Sequence, residues 1–378
     1  MLHQKFYPAP IVEVSPERDL SFFHQFLNCD FDFKAAEHLK QFETILVLGT
    51  GGSSLGGQTL DCLTQGTPDI ELIFLDNIDP STFDEIMKTF DPDEVGVLAI
   101  SKSGETPETL MQVFTLMHLW EKSALKEHFC IITEDKPSTL WNFSKAYDIK
   151  MLFHPKDVGG RYSIFTCVGM LIAHFLGLSP EKIHEGARKY LEKSGASESV
   201  SFLNHHFAKG KTQVVMMPYA DRLGVFGSWF AQLWGESLGK QGKGTTPISA
   251  KGTTDQHSQI QLYLDGPKDK IFTFISLPRP AKGIVINEPL APSFLKGKTM
   301  ADLFWVEEMA TIETLKNKNL PVRIIEIPDL REETIGALFM HFFAETVLMA
   351  DLLGIDPFDQ PAVEEGKILA KNYLLGEG

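Results

Sequence analysis

The 378-residue chain is poor in cysteine: Cys29, Cys62, Cys130 and Cys167 are its only four, and none form a C-x-x-C pair. That spacing argues against a disulfide framework or a zinc site and predicts reduced, packed thiols. An uninterrupted apolar run of membrane-spanning length is also missing. Residues 163–178 contain His174, and residues 335–354 contain His341, Glu345 and Asp351, so both stretches read as buried helices. The N-terminus has no apolar core of a secretory signal, and a cytoplasmic location is expected. Basic charge is in deficit. Lys plus Arg is 35 against 50 Asp plus Glu, a net charge of −15. General nucleic-acid binding needs a basic footprint and is not expected, although a local cationic pocket for a small anion remains compatible. No short-period repeat or low-complexity tract breaks the chain.

What is present is globular composition, 43% hydrophobic and 11% aromatic, enough for a sizeable core. Short β-branched and aliphatic runs at 44–50, 71–77, 95–101, 129–134 and 149–155 alternate with helical stretches, among them 106–122 and 161–177. Ser81 is the expected cap of the helix at 81–90. After charged, helical residues 180–211 the alternation restarts: strands at 212–220, 270–277 and 322–328, helices at 225–240, 300–319 and 332–354. The fold class is therefore α/β, with two doubly wound, mainly parallel sheets and a C-terminal helical tail. The expected division is an N-terminal segment 1–40, a first domain 41–179, a helical connection 180–211, a second domain 212–355, and a final helix in 356–378 started by Pro361.

Several loops carry chemistry. GTGGSSLGG (49–57) joins a strand to a helix start, where glycines let backbone N–H groups approach a phosphate. It lacks the Gly-Lys-Ser/Thr of a Walker A loop, and Ser54 replaces the third glycine of a dinucleotide fingerprint. A tight structural turn accounts for the same glycines. SKSGETPET (101–109) occupies the same place after another strand, with Ser101, Ser103, Thr106 and Lys102. Its hydroxyls suit helix capping or a phosphate. Two such loops at the carboxyl ends of one parallel sheet favour the phosphate. Arg161, after two glycines in VGGRYS, can pair with a carboxylate or stabilise an oxyanion. Glu236 stands among Trp229, Phe230, Leu233, Trp234 and Leu238, and an apolar setting would raise its pKa toward that of a general base. His257 lies in a polar loop, and Lys367 near the C-terminus reads on its own as a solvated charge.

Taken together, GTGGSSLGG, SKSGETPET, VGGRYS, AQLWGESLGK, GTTDQHS and FDQPAVEEGK resemble the glucose-6-phosphate isomerase (phosphoglucose isomerase) family, in the family's order and across residues 49–367. The resemblance implies two sugar-isomerase (SIS-type) domains of flavodoxin-like topology, and a reversible aldose–ketose isomerisation of glucose 6-phosphate through ring opening and a cis-enediol(ate). It implies phosphate binding by Gly52, Ser53, Ser101, Ser103 and Thr106, with Lys102 alongside. Glu236 matches the base that moves the proton between C2 and C1, Arg161 the arginine beside the enediolate, and Gln232 and Gln360 the glutamines lining the site. His257 and Lys367 match the ring-opening pair, with Glu108 orienting the histidine. A homodimer is implied, with His257 given to the neighbouring subunit's site. No metal or cofactor is called for. Lys156 and Asp255 depart from the family's usual residues. A non-catalytic phosphosugar sensor would keep the hydroxyl loop without Glu236, His257 and Lys367. A nucleotide-dependent oxidoreductase would need the fingerprint that Ser54 breaks, whereas side activity on mannose 6-phosphate stays open.

Overall fold

The computed structural model describes residues 2–9, 19–27, 31–193, 196–279 and 283–376. Cys29, part of the N-terminal segment and residues 194–195 of the 180–211 connection fall outside the described residues.

Two five-stranded sheets organise the chain. The strands are β1 (His3–Tyr7), β2 (Thr44–Leu48), β3 (Glu71–Leu75), β4 (Val95–Ile100), β5 (Phe129–Thr133), β6 (Lys150–Phe153), β7 (Gln213–Met216), β8 (Thr246–Ser249), β9 (Lys270–Ser276) and β10 (Val322–Glu326). The first sheet is parallel throughout, in the order β3-β2-β4-β5-β6. This is the flavodoxin-like order, whose crevice opens between β2 and β4, where the winding reverses. Strands β2, β4 and β5 are buried along their whole length. Helices on both faces of a parallel sheet leave no solvent side, hence the unbroken apolar runs.

The second sheet repeats the plan as β8-β7-β9-β10, all parallel, and then adds β1 antiparallel to β10. Residues 3–7 of the N-terminal segment thus belong to the far edge of the second sheet. His3 and Lys5 both reach Glu326 across that edge. Neither of the edge strands β1 and β8 stands out as an apolar run: β1 opens on His3, Gln4 and Lys5, and the four-residue β8 holds Thr246, Pro247 and Ser249. Pro247 sits in β8, a position where a missing ladder N–H is tolerated.

One continuous core joins the two sheets. It takes Val47 and Ile100 from the first, Val214 and Ile325 from the second, and between them helices Cys167–Phe175, Pro180–Lys193, Gly224–Leu238 and Glu332–Leu353. Within the 180–211 span the helices are Pro180–Lys193 and Ala196–Ala208, and the second buries Val200, Phe202 and Leu203 in this core. Glu332–Leu353 is long and apolar enough to cross a membrane by length and composition, but 89% of its most apolar window is buried within the protein. Its apolar character serves the core. Two smaller clusters cover the outer faces, around Leu116 and Phe129 on the first sheet and around Tyr263 and Phe272 on the second.

Local differences from the sequence reading have simple causes. The stretch 161–177 is not one helix: a 3-10 turn, Gly160–Phe165, precedes Cys167–Phe175, whose N-cap Thr166 accepts from Val168 N–H. The helix expected at 81 starts at Pro80, and its cap is Asp79, whose carboxylate accepts from the Ser81 N–H. Proline at the first helical position places the cap one residue before it. Pro361 opens a 3-10 turn that runs into Glu364–Leu375.

Candidate active site

The 49–54 turn and the 158–163 turn meet backbone to backbone. A Cβ on Gly52 would lie 2.2 Å from the Gly160 carbonyl carbon, so only glycine permits the approach. Gly51 has φ of +56°, and a Cβ there would lie 2.8 Å from Gln232 Nε2. Ser163 Oγ locks the junction by donating to Gly52 O at 3.0 Å. Ser54 is buried and accepts from Gln58 Nε2 at 2.6 Å, so it is part of the turn's own packing.

That junction delivers Arg161 to the site. Its residue exposure is 3%, and its guanidinium donates in five directions. Nε reaches Ser237 Oγ at 2.8 Å. One terminal nitrogen reaches Gln360 Oε1 at 2.8 Å and Glu236 Oε2 at 3.2 Å. The other reaches the carbonyls of Pro357 and, at 2.9 Å, Asp359. Ser237 Oγ also lies 3.0 Å from Tyr162 OH. A rigid planar fork with five donors suits this convergence, and lysine could not reproduce it.

Glu236 lies on the Gly224–Leu238 helix, one turn after Gln232, whose amide donates to Glu236 Oε1 at 2.9 Å. The apolar neighbours Trp229, Phe230, Leu233, Trp234 and Leu238 are all buried on the helix's core side. The expected apolar setting therefore does not surround the carboxylate. The helical period turns the aromatic stripe toward the core and leaves Glu236, 31% exposed in its side chain, between two hydrogen-bond donors.

The second loop follows β4. Ser101 is buried, with its Oγ 2.8 Å from Thr106 Oγ1 and 3.5 Å from the exposed Ser103 Oγ. Thr106 is the N-cap of Pro107–Leu116, but its hydroxyl makes no capping bond and turns to Ser101 instead. Three hydroxyls therefore cluster at a helix N-terminus beside the sheet's crevice, where the helix favours negative charge. A Cβ on Gly49 would lie 3.0 Å from Ile100 O and 2.9 Å from Ser53 Cβ, so the two loops adjoin. Lys102 Nζ sits 3.6 Å from Glu134 Oε1. Burial acts to raise the Glu134 carboxyl, yet Lys136 and Lys102 outweigh it and hold it below its ordinary range.

The structure thus brings together Gly52, Arg161, Gln232, Glu236 and Gln360, with the Ser53 and Ser101–Thr106 loops alongside. It does not bring in the ring-opening set. His257 is exposed, and no described contact joins its ring to Glu236 or Glu108 within one chain. Its loop is nevertheless braced. Asp255 Oδ2 accepts from Lys251 N–H at 2.7 Å and Oδ1 from Ser258 Oγ at 2.6 Å. Burial raises the Asp255 carboxyl, but these bonds prevail and hold it low. Lys367 is 56% exposed in its side chain and pairs with Glu364 at 2.7 Å, one turn away on its own helix. Lys156 is exposed. Sequence reasoning passed over Ser237, Tyr162 and Lys240. Their positions beside Glu236 and Arg161 in the motifs were the available signal.

A sequence model of the phosphoglucose isomerase family matches residues 21–375. The chain belongs to the phosphoglucose isomerase family. A Methanococcus maripaludis protein named "Probable glucose-6-phosphate isomerase" is 35% identical, the match covering 97% of this chain and 88% of that one. A solved structure of a hypothetical protein from Thermus thermophilus superposes with a TM-score of 0.84 at 31% identity, over 94% of this chain and 88% of that one. A glucose-6-phosphate isomerase from Chlamydia trachomatis, 23% identical, shares the fold with a TM-score of 0.74, over 90% of this chain and 71% of that one.

Proposed function

We propose that this chain interconverts glucose 6-phosphate and fructose 6-phosphate with Glu236 as the proton-moving base. The overall reaction, an aldose–ketose isomerisation (EC 5.3.1.9) used in glycolysis and gluconeogenesis, follows from membership of the family. The residue roles rest on geometry, and the observation that carries them is the Arg161–Glu236–Gln232–Gln360 cluster beside a hydroxyl loop at a helix N-terminus.

Each step needs a service these residues can supply. The phosphate docks on Ser53, Ser101, Ser103 and Thr106, with the Gly52 turn beside it and Lys102 near, and this remote binding holds the reacting carbons in place. Ring opening needs a proton donor at the ring oxygen and an acceptor at the anomeric hydroxyl. A histidine suits this, since its ordinary pKa is about 6.5. Glu236 then takes the proton from the carbon beside the carbonyl and returns it to the neighbouring carbon. Charge that builds on the enediolate oxygens faces the fixed Arg161 guanidinium, already desolvated and held by the protein. Gln232 and Gln360 keep the base and the cation in register.

His257, Lys367 and Glu108 complete the set in a homodimer, with His257 from the second copy. The reading is supported by the exposed His257 ring and by exposed apolar side chains on the helix that bears Lys367, among them Ile368, Leu369 and Leu374. A first domain that binds phosphate and a second that takes residues 3–7 as its edge strand fit this account, and so does a cytoplasmic location. The test is a coupled assay on purified protein: fructose 6-phosphate is supplied, and glucose 6-phosphate is read by a dehydrogenase reducing NADP. Turnover is expected. Binding of the phosphosugar without turnover would favour a sensor.

A further inference from the structure

The segment Asp356–Gln360 contributes to the site from outside both sheets. It leaves the Glu332–Leu353 helix at Gly354, a left-handed residue, and leads into the helix Glu364–Leu375, none of whose residues are buried. Whatever holds 356–360 therefore sets the location of Gln360 and the starting point of the helix that carries Lys367. Arg161 supplies part of that hold, through the carbonyls of Pro357 and Asp359. Phe358 supplies more, edge-on to Phe22 with ring centroids 5.6 Å apart and tilted against Tyr162 at 5.3 Å.

A third attachment uses a charge that the reaction does not need. Lys240 lies just past the end of the Glu236 helix, and its side chain is 9% exposed. Its ammonium contacts Asp359 Oδ1 at 2.5 Å and donates to the Asp356 carbonyl. Three residues on, Lys243 Nζ donates to Leu353 O at 2.7 Å, at the end of the preceding helix. The turn after Glu236 thus grips the chain at 353, 356 and 359, immediately before Gln360. The Lys240 side chain is nearly buried while that of Asp359 is 54% exposed; an ammonium so enclosed is costly to leave unpaired, so Lys240 is held to this segment.

We infer that Lys240 is a positioning residue for the isomerisation. Through Asp359 and the Asp356 carbonyl it fixes the 356–360 segment so that Gln360 meets Arg161 and Arg161 stays aimed at Glu236. The inference rests on the isomerase reading. Lys240 touches neither Glu236 nor Arg161 in the contacts described, so its effect must pass through the segment. An ångström of drift in a reacting group can cost about a hundredfold in rate.

The test combines kinetics with amide hydrogen exchange on the full chain. Wild-type turnover of fructose 6-phosphate is measured first, and its absence sinks the isomerase reading and this role together. With the wild type active, Lys240→Met should lower kcat about tenfold to a hundredfold while KM changes less than about threefold. Asp359→Asn, the milder change, should move kcat in the same direction and serves if Lys240→Met does not fold. Combined with Gln360→Ala, Lys240→Met should add less than about threefold, because both act through one contact. Exchange across 356–376 should quicken in Lys240→Met. Unchanged kcat, fully multiplicative losses with Gln360→Ala, or unchanged exchange in that segment would each overturn the inference.

Discussion

Replacing Arg161 tests two claims at once, because the same guanidinium braces the fold and faces the developing charge. Arg161→Ala removes five donated hydrogen bonds. The acceptors do not suffer equally. Ser237 keeps Tyr162, Glu236 keeps Gln232, and the exposed Gln360 and Asp359 turn to water. The Pro357 carbonyl is buried and is left without this partner. An unsatisfied buried acceptor costs about 1–3 kcal/mol, and a hydrogen bond to a charged group is worth about 1.5–3 kcal/mol net of its exchange with water. The Pro357 acceptor and a single such bond already give a destabilisation of about 3 kcal/mol or more, a large share of a typical domain's stability. On the chemical side, a fixed donor facing a developing oxyanion is worth about 10²–10³ in kcat, or about 2.7–4 kcal/mol. Urea unfolding measures the first quantity and the coupled assay, run on folded protein at 25 °C, the second. Arg161→Lys separates them. It keeps a charge and loses the fork, so it should recover some stability but little rate. A kcat within about twofold of wild type for Arg161→Ala, with the variant folded, would refute the enediolate role.

Three further outcomes follow from the same geometry. Ser103→Ala with Thr106→Ala should raise KM about tenfold or more with a smaller change in kcat, since each lost bond to a charged phosphate is worth about 1.5–3 kcal/mol; steady-state kinetics checks it, and an unchanged KM moves the phosphate elsewhere. His257→Ala should slow turnover of cyclic sugar phosphate about a hundredfold and spare open-chain substrate, so equal losses on both would remove it from ring opening. His341 is wholly buried, with Tyr190 OH 2.8 Å from its Nδ1 and the Glu345–Arg323 pair beside it. Burial pushes its imidazole from 6.5 down to about 4, Glu345 opposing and Arg323 assisting. With the folded pKa below the unfolded one, its contribution is fully present above pH 6.5. It is lost as pH falls toward 4, by about 1.4 kcal/mol per unit and about 3 kcal/mol in all. His341→Gln should flatten stability between those values in unfolding curves, and an unflattened curve would contradict the neutral buried imidazole.

The parts of the fold legible in sequence were those whose burial is one-sided or total. β2, β4 and β5 announce themselves as apolar runs because helices cover both faces. β1 and β8 do not, since His3–Tyr7 and Thr246–Ser249 are short and mostly polar, and their place depends on partners elsewhere, as with the β1 register of His3 on Glu326. In the candidate site, the loops at 49–57 and 101–109 could be read from glycines and hydroxyls at strand ends. Arg161 and Glu236 could each be read locally as a candidate, but their pairing was not legible, because the two are 75 residues apart and nothing local couples them. The apolar residues around Glu236 misled for a definite reason: linear neighbours on a helix point to different sides. Lys240 stood in the Glu236 motif, but nothing local in the sequence coupled it to Asp359.

The central claim is that Glu236 is the base. Glu236→Gln keeps the side chain's size and one acceptor for Arg161, so the fold and phosphosugar binding should persist, while proton transfer loses its carboxylate. The coupled assay with fructose 6-phosphate, run beside a binding titration of the same variant, should show near-normal affinity and a kcat lower by about 10²–10⁴. Near-normal turnover in a variant that binds normally would contradict the account.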